Sequence, residues 1–164
     1  MNAWEQRPVE IANLLNPAFC SLLLMDAIGG YRSRNEGGMP YPVAFLILPL
    51  VLHEQTREAL PNTIRTDLHV WLQNRPEIRY EAGRRIGQLI PYTKEALIFG
   101  MRHGLIDIDP QGTLLVQRST SSRARPELQP VQISAIRNRA GFLGKWFAKL
   151  GDPLIIYTMW GVRP

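Results

Sequence analysis

The chain has 164 residues, of which 45% are apolar and 20% charged, with 13 Gly, 13 Pro and one Cys. This composition is typical of a soluble globular domain and excludes collagen, disulfide-stapled miniproteins and disordered tails. The longest wholly apolar run, residues 43–52, reaches about half of the ~20 residues that a membrane helix needs. We therefore expect no membrane span and, with a single cysteine, a cytoplasmic protein.

Positive charge is concentrated near the C-terminus. Nineteen basic and fourteen acidic side chains give a formal net charge of +5, and sixteen of the basic residues are Arg. The formal net charge is −1 over residues 1–117 and +6 over residues 118–164. This asymmetry indicates a polyanion or an acidic protein as partner, and a solvated basic face is the alternative.

A first helix is predicted over residues 17–28. Asn16 can cap its N-terminus, and Pro17 suits the first helical position. A pair of glycines follows and is expected to end the helix. The polar, glycine-rich residues 31–39 then predict a flexible loop.

The next segment is strongly apolar. Pro42 predicts the start of a core helix that reaches about Leu60 and is kinked or broken near Pro49. A buried strand over residues 43–48 is the alternative, because a short run of apolar residues fits both the helical and the strand periodicity.

Residues 66–117 predict short helices followed by a hairpin. The first helix runs from Thr66 to Gln73, and the second begins at Pro76 and is stopped by Pro91 after about Ile90. A third helix is expected over residues 94–103, with Thr93 as its cap and Gly104 after its end. Strands are expected over residues 105–108 and 113–116. This order is that of a winged helix-turn-helix, in which the third helix takes the recognition position and the hairpin forms the wing.

The C-terminal part contains a linker and a last helix. Residues 118–130 are polar and read as a basic linker loop, and residues 131–150 predict a helix. Residues 154–160 predict a strand or a tight helical end. The expected fold is mostly α with a small β-hairpin. A domain over residues 1–117 contains N-terminal helices and a winged helix-turn-helix-like core at about 66–117. Residues 131–164 are expected to pack back on this domain as a C-terminal helix and terminal strand.

No catalytic constellation is evident. The candidate side chains are His53, His69, His103, Cys20, Asp107 and Asp109. The histidines lack partners at metal-binding spacing, the cysteine lies in an apolar helical stretch, and the two aspartates alternate along a wing strand. A glycine-lysine segment at residues 141–145 resembles a phosphate loop but falls inside a predicted helix. We expect a protein without enzymatic activity, metal or cofactor.

Several stretches together resemble a known family. They are Asn16-Pro-Ala-Phe19, Phe45-Leu-Ile-Leu-Pro-Leu-Val-Leu-His53 with Thr56-Arg57, Leu68-His-Val-Trp-Leu72, Tyr92-Thr-Lys-Glu-Ala-Leu-Ile-Phe99 before Gly104-Leu-Ile106, and Leu143-Gly-Lys-Trp-Phe147 through Gly161-Val-Arg-Pro164. They span almost the whole chain in order. By these stretches the sequence resembles the middle component of bacterial three-component ABC systems.

The resemblance implies a partner set. Members of the family are encoded beside an SMC-like ABC ATPase and a third protein that often carries an effector such as a nuclease. These systems are associated with defence against phages and plasmids, Lamassu being a related type. The implied function is a non-catalytic adaptor that links the ATPase to the effector and reaches DNA through the complex. Winged-helix subunits that bind near SMC ATPase heads are an analogy at the level of the fold.

The adaptor hypothesis assigns residues to two tasks. The candidate DNA contacts are Arg118, Arg123, Arg125, Arg137 and Arg139, because arginines can follow phosphates without reading bases. The candidate partner-interface residues are Trp71, Trp146 and Trp160, since Trp is a common interface anchor, although it is more often a core residue.

A free-standing winged-helix transcriptional regulator is the alternative. It would contact DNA through Lys94, Arg102 and His103 of the third helix. The rest of that helix is mostly apolar, whereas a helix that reads bases usually displays several Arg, Asn or Gln side chains. A nuclease or hydrolase subunit is a third possibility without a motif in its favour.

Overall fold

Helices form most of the chain. The computed structural model describes Pro8 and residues 13–117 and 131–163. In chain order the elements are α1 Pro17–Arg32, β1 Met39–Pro40, a 3-10 helix Tyr41–Val43, α2 Ala44–Val51, α3 Glu54–Ala59, α4 Leu68–Gln73, α5 Pro76–Arg102, β2 Ile106–Ile108, β3 Thr113–Val116, α6 Val131–Ala148 and α7 Pro153–Trp160. The prediction of a mostly helical fold with a small antiparallel sheet is confirmed.

Helix α1 lies at the centre of the fold. Its predicted start is confirmed, because the Asn16 side chain accepts hydrogen bonds from two backbone N–H groups of the first turn. The predicted end at Gly29-Gly30 was wrong, since the helix continues to Arg32. Packing explains the difference: Gly30 is buried against another helix, and this burial outweighs the low helix propensity of glycine.

The backbones of α1 and α6 touch where they cross. A Cβ atom placed on Gly30 would overlap the carbonyl oxygen of Gly141, and one on Gly144 would overlap the carbonyl oxygen of Ala27. The same Gly144 position lies within 2.8 Å of the backbone nitrogen of Tyr31. The crossing therefore requires glycine from both helices, and α1 contributes several fully buried side chains around it: Cys20, Leu23, Leu24, Ala27, Ile28 and Tyr31.

Helix α5 also packs closely on α1. A Cβ atom on Gly100 would come within 2.6 Å of the Ser21 hydroxyl. On the same helix Thr93, Ala96 and Leu97 are buried. The C-terminal half of α5 is therefore held in the core.

The prediction of two helices separated at Pro91 was wrong, because α5 runs unbroken from Pro76 to Arg102. Proline in a helix removes one backbone hydrogen bond and costs about 3 kcal/mol. Burial beyond the proline offsets that cost, and the Thr93 hydroxyl donates to the Leu89 carbonyl (3.0 Å) beside it. With no turn at Pro91, the predicted winged helix-turn-helix core is not confirmed.

The hairpin forms as predicted and gains a third strand. Strands β2 and β3 pair in antiparallel fashion, and Gly112 in their turn has a φ of 79°. Asp109 fixes the turn by accepting from the backbone N–H groups of Gln111 and Thr113. Strand β1 pairs with the other side of β3, with Met39 opposite Leu114, so the predicted loop over residues 31–39 ends in a short strand.

The apolar segment is helical, so the strand alternative over residues 43–48 was wrong. All residues of α2 are buried, and Pro49 lies inside it. The break follows at His53, which caps α3 by accepting from the Thr56 backbone N–H (3.3 Å). Further along, Asp67 rather than Thr66 caps α4.

The C-terminal segment ends in a helix. The predicted helix α6 is confirmed, and the predicted linker at residues 118–130 lies outside the described residues. Of the two alternatives for residues 154–160, the strand was wrong and the helical end is confirmed by α7. Asp152 caps this helix by accepting from the Leu154 backbone N–H (2.8 Å). Tyr157 donates to the Pro42 carbonyl (2.8 Å), which fastens α7 to the N-terminal half. Among the described helices, none is both long and apolar enough to cross a membrane.

Two neighbouring glycines test the crossing of α1 and α6. Gly29→Ala adds a methyl group that meets no atom within 4 Å, so it should raise the free energy of unfolding by up to about 1 kcal/mol. Gly30→Ala forces the helices apart and should lower the free energy of unfolding by about 1–3 kcal/mol. Urea unfolding of both variants measures the difference, and equal stabilities would contradict the close crossing.

Candidate functional site

Four cations surround a small cavity at the end of α6. The cavity has a volume of about 450 Å³, and its charged lining residues are Arg34, Arg65, Lys145 and Lys149, with Ile64 and Ala148 between them. We call these four residues the basic cluster. All four are exposed, and the cavity lining includes no carboxylate.

The loop over residues 61–67 is bound to α6, which brings Arg65 to the lysines. The Trp146 indole N–H donates to the Thr66 carbonyl (2.8 Å), and the Lys149 ammonium donates to the Arg65 carbonyl (3.4 Å). Arg139 donates to the carbonyl of Pro61 (3.0 Å). These bonds tie the backbone of the loop to α6 and place Arg65 beside Lys145 and Lys149.

The cluster brings four positive charges together. In the described part of the chain, none of its four side chains forms an ion pair with a carboxylate. Like charges that share a surface add their potentials and attract anions. The arrangement is therefore suited to the closely spaced charges of a phosphate backbone.

The predicted DNA contacts divide into two groups. Arg118, Arg123 and Arg125 lie outside the described residues, so their role stays a prediction. Arg137 forms a bidentate ion pair with Asp26, with its Nε 2.7 Å from Oδ2 and its Nη2 3.0 Å from Oδ1. The hydrogen bond to Asp26 raises the pKa of the Arg137 guanidinium. Arg139 is bound to the 61–67 loop, so both described arginines have structural partners.

The three predicted interface tryptophans meet in the core. The ring of Trp71 lies edge-on to those of Trp146 (5.5 Å) and Trp160 (6.2 Å). All three side chains are buried, and the Trp71 indole N–H donates to the Ala59 carbonyl (3.2 Å). In this chain they join α4, α6 and α7, whereas a role in partner binding stays a prediction.

A larger groove runs along the first half of α5. Its volume is about 1390 Å³, and its polar lining residues are His53, Gln55, Gln73, Arg79, Tyr80, Glu81, Arg84, Arg85 and Gln88. The end of α7 completes it through Trp160 and the two residues that follow. We call this surface the arginine groove.

Arg85 and His53 form the fixed wall of the groove. Arg85 lies 3.2 Å from the Glu81 carboxylate and donates to the Thr56 hydroxyl (2.8 Å). The same hydroxyl lies 2.9 Å from His53 Nδ1. Burial, followed by the charge of Arg85, lowers the pKa of His53 below its usual 6.5. The imidazole is therefore held in its neutral, capping form.

The candidate catalytic residues have local structural roles. Burial raises the pKa of Cys20 to about 12, with a further contribution from Glu95, so the thiol stays protonated and weakly nucleophilic. Asp107 accepts from the Ile108 backbone N–H (2.8 Å), and the Gly141 segment is part of α6. Within the described ranges, there is no group of three or more His, Cys, Asp or Glu side chains that could bind a metal ion.

The cap at His53 predicts a dependence of stability on pH. Because the pKa of His53 is lower in the folded than in the unfolded chain, the unfolded chain binds more protons below pH 6.5, and stability falls as pH falls through that range. His53→Asn keeps a capping acceptor but does not titrate. We expect the variant to lose less stability than the parent between about pH 7.5 and about pH 5.5 in urea unfolding. If the variant and the parent lose the same stability over this pH range, His53 is not the titrating cap.

Comparison with known proteins gives one match. No curated protein and no solved structure matches the chain significantly. Residues 4–164 match the family described as ABC-three component (ABC-3C) system Middle Component 3, which is nearly the full length and agrees with the resemblance seen in the sequence. The chain therefore belongs to the middle component 3 family of ABC-three component systems.

Proposed function

We propose that this chain is a non-catalytic adaptor of an ABC-three component complex that contacts DNA through the basic cluster. It links an SMC-like ABC ATPase to an effector subunit, and the complex acts in cytoplasmic defence against invading DNA. Membership of the middle component family supports an accessory subunit. The observation that carries the DNA contact is the acid-free cluster of Arg34, Arg65, Lys145 and Lys149.

The chemistry of the cluster suits a phosphate backbone. Lys and Arg side chains that meet phosphates supply affinity without reading sequence. An adaptor that holds DNA of any sequence needs this kind of contact. The cluster joins residues from three parts of the chain, and hydrogen bonds to the backbone of the 61–67 loop bring Arg65 next to Lys145 and Lys149.

The structural roles of the candidate catalytic residues support a non-enzymatic role. Cys20 is buried in the central helix with a raised pKa. His53 serves as a cap, and Asp109 serves as the turn residue of the hairpin. The chemistry of the system is then left to the ATPase and the effector.

The regulator alternative has less support. It needs a separate recognition helix, whereas the residues concerned belong to the continuous helix α5. Thr93, Ala96 and Leu97 turn one face of that segment into the core, and the half-exposed Ile98 lies between Lys94 and Arg102. Two cations beside an isoleucine supply few groups for reading base edges.

A pair of double variants tests the DNA contact. In the complex assembled with the other components of the system, Arg65→Gln with Lys145→Gln should weaken binding to duplex DNA. It should also reduce the slope of log affinity against log salt by roughly 2, because each lost phosphate contact removes about 0.9. Among the described residues, neither side chain forms a hydrogen bond or an ion pair, so the complex should still assemble.

Lys94→Gln with Arg102→Gln is the matched control. It removes the same charge from the helix that a regulator would use, and we expect no change in affinity or slope. If this control loses DNA binding while the cluster variant retains it, the regulator is the better description.

Co-purification tests the adaptor role itself. The tagged chain should retain both the ATPase and the effector when the three components are produced together, with or without DNA. A chain recovered alone, which binds a defined DNA site tightly, would overturn the proposal.

A further inference from the structure

The arginine groove has a mixed set of polar groups. Arg79, Arg84 and Arg85 supply three guanidinium groups, and Glu81 supplies one carboxylate. Three amide side chains, those of Gln55, Gln73 and Gln88, lie in the same lining. Guanidinium groups match carboxylates in bidentate fashion, and amides can both donate to and accept from a peptide backbone. This combination differs from the acid-free, amide-free basic cluster.

Two of the arginines are available to a ligand. Arg79 and Arg84 are exposed, and neither forms an ion pair with a carboxylate of the described residues. The guanidinium of Arg79 lies over Gly161, where a Cβ atom would come 3.4 Å from Nη2. The guanidinium of Arg79 therefore lies beside the end of α7, next to Gly161.

Two residues that line the groove carry buried donors without acceptors. Trp160 is 1% exposed, and its indole N–H has no acceptor within the part of the chain that the structure describes. The same holds for Nε of Arg85, the residue that Glu81 and Thr56 fix. Buried donors without acceptors are rare and raise the free energy of the free protein.

We propose that the arginine groove binds an extended, acidic peptide segment of a partner protein. Carboxylates of the segment pair with Arg79 and Arg84, and its backbone amides hydrogen-bond to the glutamine side chains that line the groove. Tyr80, which is 87% exposed, supplies an aromatic surface for the apolar parts of the segment. The volume of about 1390 Å³ is sufficient for several residues rather than for a single anion.

The carboxylate of Glu81 favours a peptide over nucleic acid. A phosphate backbone carries a charge at every nucleotide, whereas the groove offers only two arginines without a carboxylate partner among the described residues, Arg79 and Arg84, because Glu81 pairs with Arg85. A peptide can place a neutral or donor group there. That the segment belongs to another component of the complex rests on the proposed adaptor function, whereas the binding itself does not.

The test measures binding of a model peptide to the full-length protein. The probe is a fluorescein-labelled decapeptide of alternating Glu and Ala, followed by fluorescence anisotropy, and a peptide with Gln in place of Glu is the neutral control. Arg79→Gln with Arg84→Gln should weaken binding of the acidic peptide roughly tenfold or more, because two charge-assisted contacts are lost. The neutral peptide should bind at least about tenfold more weakly than the acidic one.

The basic-cluster variant, Arg65→Gln with Lys145→Gln, removes the same charge elsewhere and should leave peptide affinity within about twofold. Equal loss in both variants, or no loss in the groove variant, would overturn the proposal. Single-stranded DNA is a further competitor. If it displaces the peptide from the parent protein and binds more weakly only to the groove variant, the groove is a nucleic-acid site, and the peptide proposal is overturned. If the peptide binds as expected but the chain captures no other component, the adaptor function fails while the groove assignment stands.

Discussion

The crossing of α1 and α6 is the constraint on which the rest of the structure depends. Helices normally keep their axes 8–10 Å apart because side chains lie between them. Here glycines at positions 30, 141 and 144 remove those side chains, and the two backbones meet directly. Helix α1 is then enclosed on another side by α5, where Gly100 meets Ser21. A central helix packed on two sides gives a small domain a close-packed core.

The two candidate surfaces are products of that packing. Helix α6, placed by the crossing, presents Lys145 and Lys149 and binds the loop that carries Arg65 through the indole of Trp146. Helix α5, held by its buried C-terminal half, presents the arginines of the groove from its N-terminal half. The surfaces differ in chemistry, since one has no carboxylate and the other contains Glu81. An adaptor with two different anionic partners would need such a distinction.

Local signals were readable in the sequence, but long-range packing was not. The cap at Asn16 and the hairpin over residues 105–116 depend on neighbouring residues, and both predictions are confirmed. The breaks expected at Gly29-Gly30 and Pro91 were wrong, because burial against distant helices outweighed local propensity. For the basic cluster, the spacing of four between Lys145 and Lys149 was the only visible signal, since Arg34 and Arg65 reach the site through the fold. The tryptophans, chosen as interface anchors, have in this chain the core positions that Trp occupies more often.

Chemical footprinting of the assembled complex tests the central claim most directly, which is that one rigid adaptor offers separate surfaces to protein and to DNA. Lysine acetylation and arginine modification, read by mass spectrometry, report the access to each side chain. We expect Arg79 and Arg84 to be protected as soon as the other components bind, and Lys145 and Lys149 to be protected only when DNA is added. The exposed Lys94 should react equally in every state. Protection of Lys94 by DNA, with Lys145 and Lys149 still reactive, would contradict the account.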